Sequence, residues 1–285
     1  MSPATAVAPL ISASELAALS GTSGLLVVDC RFDLGDAGFG AAAYAAGHIP
    51  GAVFAAMEFD LSARRSPGSG RHPLPSPRDF AAVLGRWGFT DASHVVACDQ
   101  GSGAAASRLW WLLRARGHQR VQVLDGGWAA WQAAGGAVET QVPAVTPTRV
   151  AERPFEGVLD AAQVAAGMAE GCITLVEARA ADRFAGRNET IDPVAGHVPG
   201  ARNRPFAANL ADGQRWHTAE RLRGIWAAEL AAAADRPIVM MCGSGITACH
   251  NLLALAVAGH PHARLYAGSW SEWITDPARP VATGE

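Results

Sequence analysis

The stretch 242-CGSGITACHNLLALAVAGHPHARLYAGSW-270 lies without a gap over 100-QGSGAAASRLWWLLRARGHQRVQVLDGGW-128. The offset is 142 residues, and it also relates Gly117 to Gly259. Upstream, 29-DCR-31 matches 177-EAR-179, and 47-GHIPGA-52 matches 196-GHVPGA-201. The chain therefore reads as two copies of one domain. In each copy an amphipathic helix candidate leads to a β-branched strand, LLVVD or ITLVEA. The GH[IV]PGA turn, a helical stretch and a second strand, HVVACD or PIVMMC, follow. A Gly-Ser-Gly turn, a long apolar helix and a third strand, VQVLD or ARLYA, complete the unit. Strands alternating with helices imply an α/β fold of two tandem domains, each a parallel β-sheet flanked by helices.

Between the copies, 137-AVETQVPAVTPTRVAERPFEG-157 has three prolines among polar residues and no sustained period. This puts a first domain at residues 1–142, a linker at 143–154 and a second domain at 155–285. The chain of 285 residues is 49% hydrophobic and 17% charged, ordinary for a folded protein with room for two domains. Its net charge of −3, with no basic stripe, argues against a nucleic-acid partner. No apolar run reaches the roughly 18 residues of a membrane span. The N-terminal MSPATAVAPLISASELAALSG lacks a positive leading segment and carries Glu15, so it is expected to be mature protein. Five cysteines, an odd and sparse set, argue against a disulfide framework and for a reducing, cytoplasmic location.

Repeats also separate structure from chemistry. His48 and His197 both sit in the shared GH[IV]PGA turn and are expected to serve the fold. Cys242, by contrast, aligns with Gln100, so only the second copy can do covalent chemistry at this turn. A glycine-broken loop entering a helix points backbone N–H groups at one place, a cradle for negative charge. The anionic form of a thiol, its reactive form, is favoured there. Gly243 and Gly245 let the backbone curl, and Ser244 adds a hydroxyl able to move a proton. The alternative makes Cys242 a small buried hydrophobe at a strand end, as expected for Cys98 and Cys172, and Cys249 is expected in the core.

Rival motifs fit less well. Gly243, Gly245 and Ala248 satisfy G-x-G-x-x-A, as do Gly101, Gly103 and Ala106, but the turn is not in the first strand-helix unit of a copy. A nucleophile elbow needs glycine where Cys242 stands, and a cysteine phosphatase needs arginine where Ala248 stands. Cys242, Cys249 and His250 are badly spaced for zinc.

Taken together, 177-EARAADRF-184, 196-GHVPGARN-203, 242-CGSGIT-247, 268-GSWSEW-273 and the degenerate 124-LDGGW-128 resemble the rhodanese superfamily in its two-domain form. The neutral loop is similar to that of 3-mercaptopyruvate sulfurtransferases, whereas thiosulfate-preferring relatives usually carry basic residues there. The resemblance implies ping-pong sulfur transfer. Cys242 takes sulfur from a small-molecule donor, and Gly243, Gly245, Ile246 and Thr247 cradle the resulting persulfide. The sulfur then passes to cyanide or to a thiol such as thioredoxin, with no metal or organic cofactor. It further implies that Arg183 holds the donor's acid group, that Arg187 stands in for a second arginine, and that Asp60 and His72 join Ser244 in a proton relay. The first copy, with Gln100, is then catalytically inactive. A thiosulfate:cyanide sulfurtransferase and a non-catalytic binding or redox-sensing module are the competing readings.

Overall fold

A computed structural model describes residues 7–284. The chain forms two compact units, each discontinuous in sequence. The first comprises the chain up to Ala63, Pro75–Glu156 and Asp212–Trp216. The second comprises Arg64–Leu74, Gly157–Ala211 and the chain from His217 onward.

The first unit contains β1 (Leu10–Ile11), α1 (Ala13–Leu19), β2 (Leu25–Asp29), α2 (Phe39–Ala46), β3 (Val53–Phe54), α3 (Pro77–Arg86), β4 (His94–Cys98), α4 (Ala104–Ala115), β5 (Val121–Leu124) and α5 (Gly127–Ala133). Its helices start where the sequence offers caps. Ser12 and Glu15 form a capping box on α1, and Ser76 caps α3 with Pro77 in the first turn. The second unit contains β6 (Val158–Leu159), α6 (Ala161–Ala169), β7 (Thr174–Glu177), α7 (Ala181–Phe184), β8 (Arg202–Asn203), α8 (Ala219–Ala233), β9 (Ile238–Met241), α9 (Thr247–Val257), β10 (Arg264–Tyr266) and α10 (Ser269–Trp273). Asp160 and Gln163 form its matching box on α6.

Both units build the same five-stranded parallel sheet. The orders are β1-β5-β4-β2-β3 and β6-β10-β9-β7-β8, so each strand of one has its counterpart in the other. β4, β5, β7 and β9 are buried almost throughout, as strands covered on both faces must be. On one face of each sheet, strand and helix residues pack into a hydrophobic cluster. Leu16, Val27, Val96 and Leu124 lie in the first, and Val164, Leu175, Val239 and Trp270 in the second. The three strands expected per copy are present. The two extra strands of each sheet are its edges and only two residues long, too short to show a period.

The shared motifs act as scaffold. Arg31 donates to the Gly47 carbonyl at 2.6 Å and lies 4.7 Å above Trp128. Arg179 repeats both contacts with Gly196 and Trp270, at 2.6 and 4.7 Å. His48 stacks on Tyr44 and hydrogen-bonds its carbonyl, and His197 does the same with Phe184. Residues 143–154 form no helix or strand, yet Thr148 is tied to Gly85 and Phe89 within the first unit. All five cysteines are free thiols. Cys98 and Cys249 are core residues as expected, whereas Cys172 is exposed, because it sits on the turn after Gly171 rather than in β7. Among the described residues no helix is long and apolar enough to cross a membrane.

Candidate active site

Ligands of parallel α/β sheets bind beyond the carboxyl ends of the strands. Cys242 occupies that place in the second unit, directly after β9, and α9 begins five residues later. The residue is only 2% exposed. The N–H of Gly245 donates to its Sγ at 3.0 Å, which curls residues 242–245 around the sulfur. Ile246 is the cap residue of α9 and Thr247 its first helical residue, so the opening N–H groups of the helix face the loop.

A second loop holds the first in place. The Cys242 N–H donates to Ser269 Oγ at 3.0 Å, and that hydroxyl in turn donates to the Tyr266 carbonyl. The N–H groups of Trp270 and Ser271 return to the carbonyls of Cys242 and Gly243, each at 2.9 Å. Ser269 adopts φ +54°, a left-handed conformation uncommon for a residue with a Cβ. Its counterpart in the first copy is Gly127, also at φ +54°. Sequence reasoning missed Ser269, although the exchange of glycine for serine between the copies was the signal.

His72 reaches this loop. Its Nδ1 and Ser244 Oγ share a 2.8 Å hydrogen bond, with the two residues 1% and 7% exposed. The segment 64–74 that carries His72 packs within the second unit. Gly70 makes this close approach possible, since a Cβ there would stand 2.5 Å from the Gly268 carbonyl oxygen. Asp60 belongs to the first unit. Its carboxylate accepts from the Ala56 N–H at 2.8 Å and from Arg86 at 2.6 Å. Burial pushes that carboxyl up, against the opposing effect of both bonds.

Arg183 and Arg187 part company. A Cβ on Gly243 would lie 3.8 Å from Arg183 Nη2, so this guanidinium stands beside the cysteine loop. Arg187 is exposed and lines a surface cavity with Phe184, Arg202, Asn203 and Glu229. Arg71 Nη2 stands 3.4 Å and Arg179 Cδ 3.8 Å from the same point; Arg71 is a residue the sequence reading did not single out. Glu189 pairs with Arg183 at 2.8 Å and with Arg179 at 3.1 Å. Burial pushes the Glu189 carboxyl up, but the hydrogen bonds from Arg183 and from the Asp192 and Ile191 N–H groups outweigh it and hold it below its ordinary value.

The first copy shows what its own cradle holds. The Asp99 carboxylate accepts from the N–H groups of Gly101, Gly103, Ala105 and Ala106 at 2.9 to 3.3 Å. The loop is thus filled by the carboxyl group of the residue that directly follows β4; burial pushes that carboxyl up, against the opposing effect of these hydrogen bonds. At the matching place in the second copy stands Met241, which carries no carboxyl group, and there the Gly245 N–H donates to the Cys242 sulfur instead. The burial of Cys98, beside Asp99, pushes its thiol well up and makes it inert. Gln100→Cys in a Cys242→Ser background is therefore expected to gain no sulfur after incubation with a sulfur donor. Whole-protein mass measurement checks this, and a bound sulfur on the introduced cysteine would contradict it.

Comparison with known proteins agrees with this geometry. The rhodanese-like domain family matches residues 12–134 and 160–276. The chain belongs to the rhodanese family. It is 49% identical to a probable 3-mercaptopyruvate sulfurtransferase of Pseudomonas aeruginosa, covering 98% of this chain and 99% of that protein. It is 40% identical to a putative thiosulfate sulfurtransferase of Mycobacterium tuberculosis, covering 96% and 97%. Among solved structures, that of the 3-mercaptopyruvate sulfotransferase SseA from Escherichia coli superposes with a TM-score of 0.81 at 33% identity, covering 93% of this chain and all of that one.

Proposed function

We propose that this rhodanese is a sulfurtransferase in which Cys242 takes sulfur from 3-mercaptopyruvate and passes it to a thiol. The observation that carries the choice of donor is the 2.8 Å contact of His72 with Ser244 beside the cysteine. When the Cys242 thiolate attacks the donor sulfur, an S–S bond forms and the donor's C–S bond breaks. The electron pair of that bond goes to the carbon, so the leaving group is the enolate of pyruvate. The net change moves the donor's thiol proton to that carbon, and a serine-histidine pair is suited to carry it. Thiosulfate, whose leaving group is sulfite, needs no such transfer.

Within this reading Ser244 and His72 are the relay, Asp60 its third member, and Arg183 the ligand of the donor carboxylate, for which a planar guanidinium is suited. The N–H groups of Gly243, Gly245, Ile246 and Thr247 hold the persulfide anion in water-poor surroundings, where such dipoles act strongly. Residues 1–142 act as the inactive copy, residues 143–154 as connection and residues 155–285 as the catalytic domain. An acceptor thiolate then attacks the outer sulfur and releases Cys242. A dithiol protein such as thioredoxin suits this step, because its second thiol expels hydrogen sulfide as the protein disulfide closes. Five free thiols fit the cytoplasm.

The name of the mycobacterial relative favours thiosulfate as the second reading. Steady-state turnover of both donors separates the two. A kcat/KM for 3-mercaptopyruvate at least about tenfold above that for thiosulfate is expected, a difference of about 1.4 kcal/mol in the barrier. Faster thiosulfate turnover would overturn the choice of donor. Absence of turnover with both would leave a binding module.

A further inference from the structure

The second unit holds a cavity of about 410 Å³ between α7 and β8. α7 is a single turn with two faces. Its Arg183 brings a guanidinium beside Gly243, whereas Ala181 and Phe184, three residues apart and so on one face, line the cavity. Cys242 and Arg183 are not part of the cavity wall. The charged residues of that wall are Arg187, three positions beyond Phe184, Arg202 on β8, and Glu229 on α8.

Both walls are held in place by the chain itself. The Arg187 N–H donates to the Asp182 carbonyl at 2.9 Å, and the Asn188 amide donates to the Asp182 carboxylate at 2.9 Å. On β8, the Asn203 amide donates to the carbonyls of Glu177 and Arg179, at 3.2 and 2.9 Å. A site formed in advance loses less freedom when a ligand arrives.

The chemistry of the wall selects the ligand. Glu229 is 4% exposed, and both its oxygens accept from Arg204 at 2.8 Å, so its charge is already met. Among the described residues, the exposed Arg187 and Arg202 have no ion-pair partner. Two guanidinium groups are therefore left on a cavity that also presents the Phe184 ring and the Ala181 methyl group. The guanidinium fork matches a carboxylate, and the apolar strip matches a short hydrocarbon spacer. The volume lies in the range of small-molecule sites, more than a simple inorganic anion would fill.

We propose that this cavity is a second anion site, which takes a small dicarboxylate. Its two acid groups pair with Arg187 and Arg202, and its hydrocarbon part lies on Phe184 and Ala181. The site is independent of the sulfur donor and of the reaction proposed above.

Calorimetric titration of the full chain with succinate tests this, at low ionic strength because both arginines are exposed. Succinate is expected to bind at one site, with acetate at least about tenfold weaker. Arg187→Gln and Arg202→Gln should each weaken succinate about tenfold, and the double variant should abolish binding. Arg202→Lys keeps the charge but not the fork and should weaken it by less than Arg202→Gln. That variant decides the matter should Arg202→Gln melt early. The rate of Cys242 alkylation by iodoacetamide, read from the mass of its peptide, should not fall when succinate is present. Succinate that fails to bind the parent protein, or binds the double variant as well as the parent, overturns the proposal. Acetate binding as tight as succinate overturns the assignment of a dicarboxylate. Protection of Cys242 that persists in the double variant would put the anion in the cysteine loop and overturn the second site.

Discussion

Cys242→Ser is expected to lower turnover of 3-mercaptopyruvate by about a thousandfold or more, to the level of the uncatalysed reaction. The substitution exchanges one atom in a residue that is only 2% exposed, so the fold and the melting temperature should hardly change. What is lost is chemical. A serine hydroxyl at neutral pH offers almost no anion, and oxygen has no stable counterpart of the persulfide. The flanking residues cannot replace it: Cys249, seven residues on, is fully buried with its thiol directed to the Gly245 carbonyl at 3.2 Å. Mass measurement after donor alone should show the parent enzyme one sulfur atom heavier and the variant unchanged. A variant that retains turnover, or still gains sulfur, would place the nucleophile elsewhere.

The sequence made the fold readable because its signals were local and doubled. The 100–128 and 242–270 stretches agree on strand, turn and helix, and the structure returns two sheets of identical order. Cys242 was legible for the same reason, since it breaks a repeat that is otherwise kept. The residues that went unread depend on contacts between distant segments. Arg71 and Asp192 lie 121 positions apart, and no period or motif links them. His72 and Ser244, 172 positions apart, were joined only through the family resemblance. Asp99 was a different kind of miss. Like Ser269, it differs between the copies and could have been found by asking what replaces Met241 in the first loop.

The cradle that surrounds Cys242 should be far less tolerant than its sequence suggests, and Gly245→Ala is the substitution that exposes this. Gly245 has φ +83°, and a Cβ added there would run into the Ala267 carbonyl oxygen, which is backbone and cannot swing away. Gly259 supplies the control: it has φ +95° but nothing within 4 Å of an added Cβ. A left-handed alanine alone costs about 1–2 kcal/mol, so Gly259→Ala should lose about that much stability and keep its activity. Gly245→Ala carries the same cost plus the displacement of either the cysteine loop or the 267–271 turn. A total of roughly 3 kcal/mol or more is expected. The chemical consequence exceeds the stability loss. The turn holds the Cys242 N–H through Ser269 and the Gly243 carbonyl through Ser271, while the Gly245 N–H itself bonds the sulfur. Moving any of these spoils the alignment of donor atoms with the persulfide, and kcat should fall at least about a hundredfold, as for removal of an oxyanion donor. Denaturant titration and single-turnover persulfide formation separate the two effects. Equal behaviour of the two alanine variants would show that left-handed strain, rather than the crowding against Ala267, governs the loop.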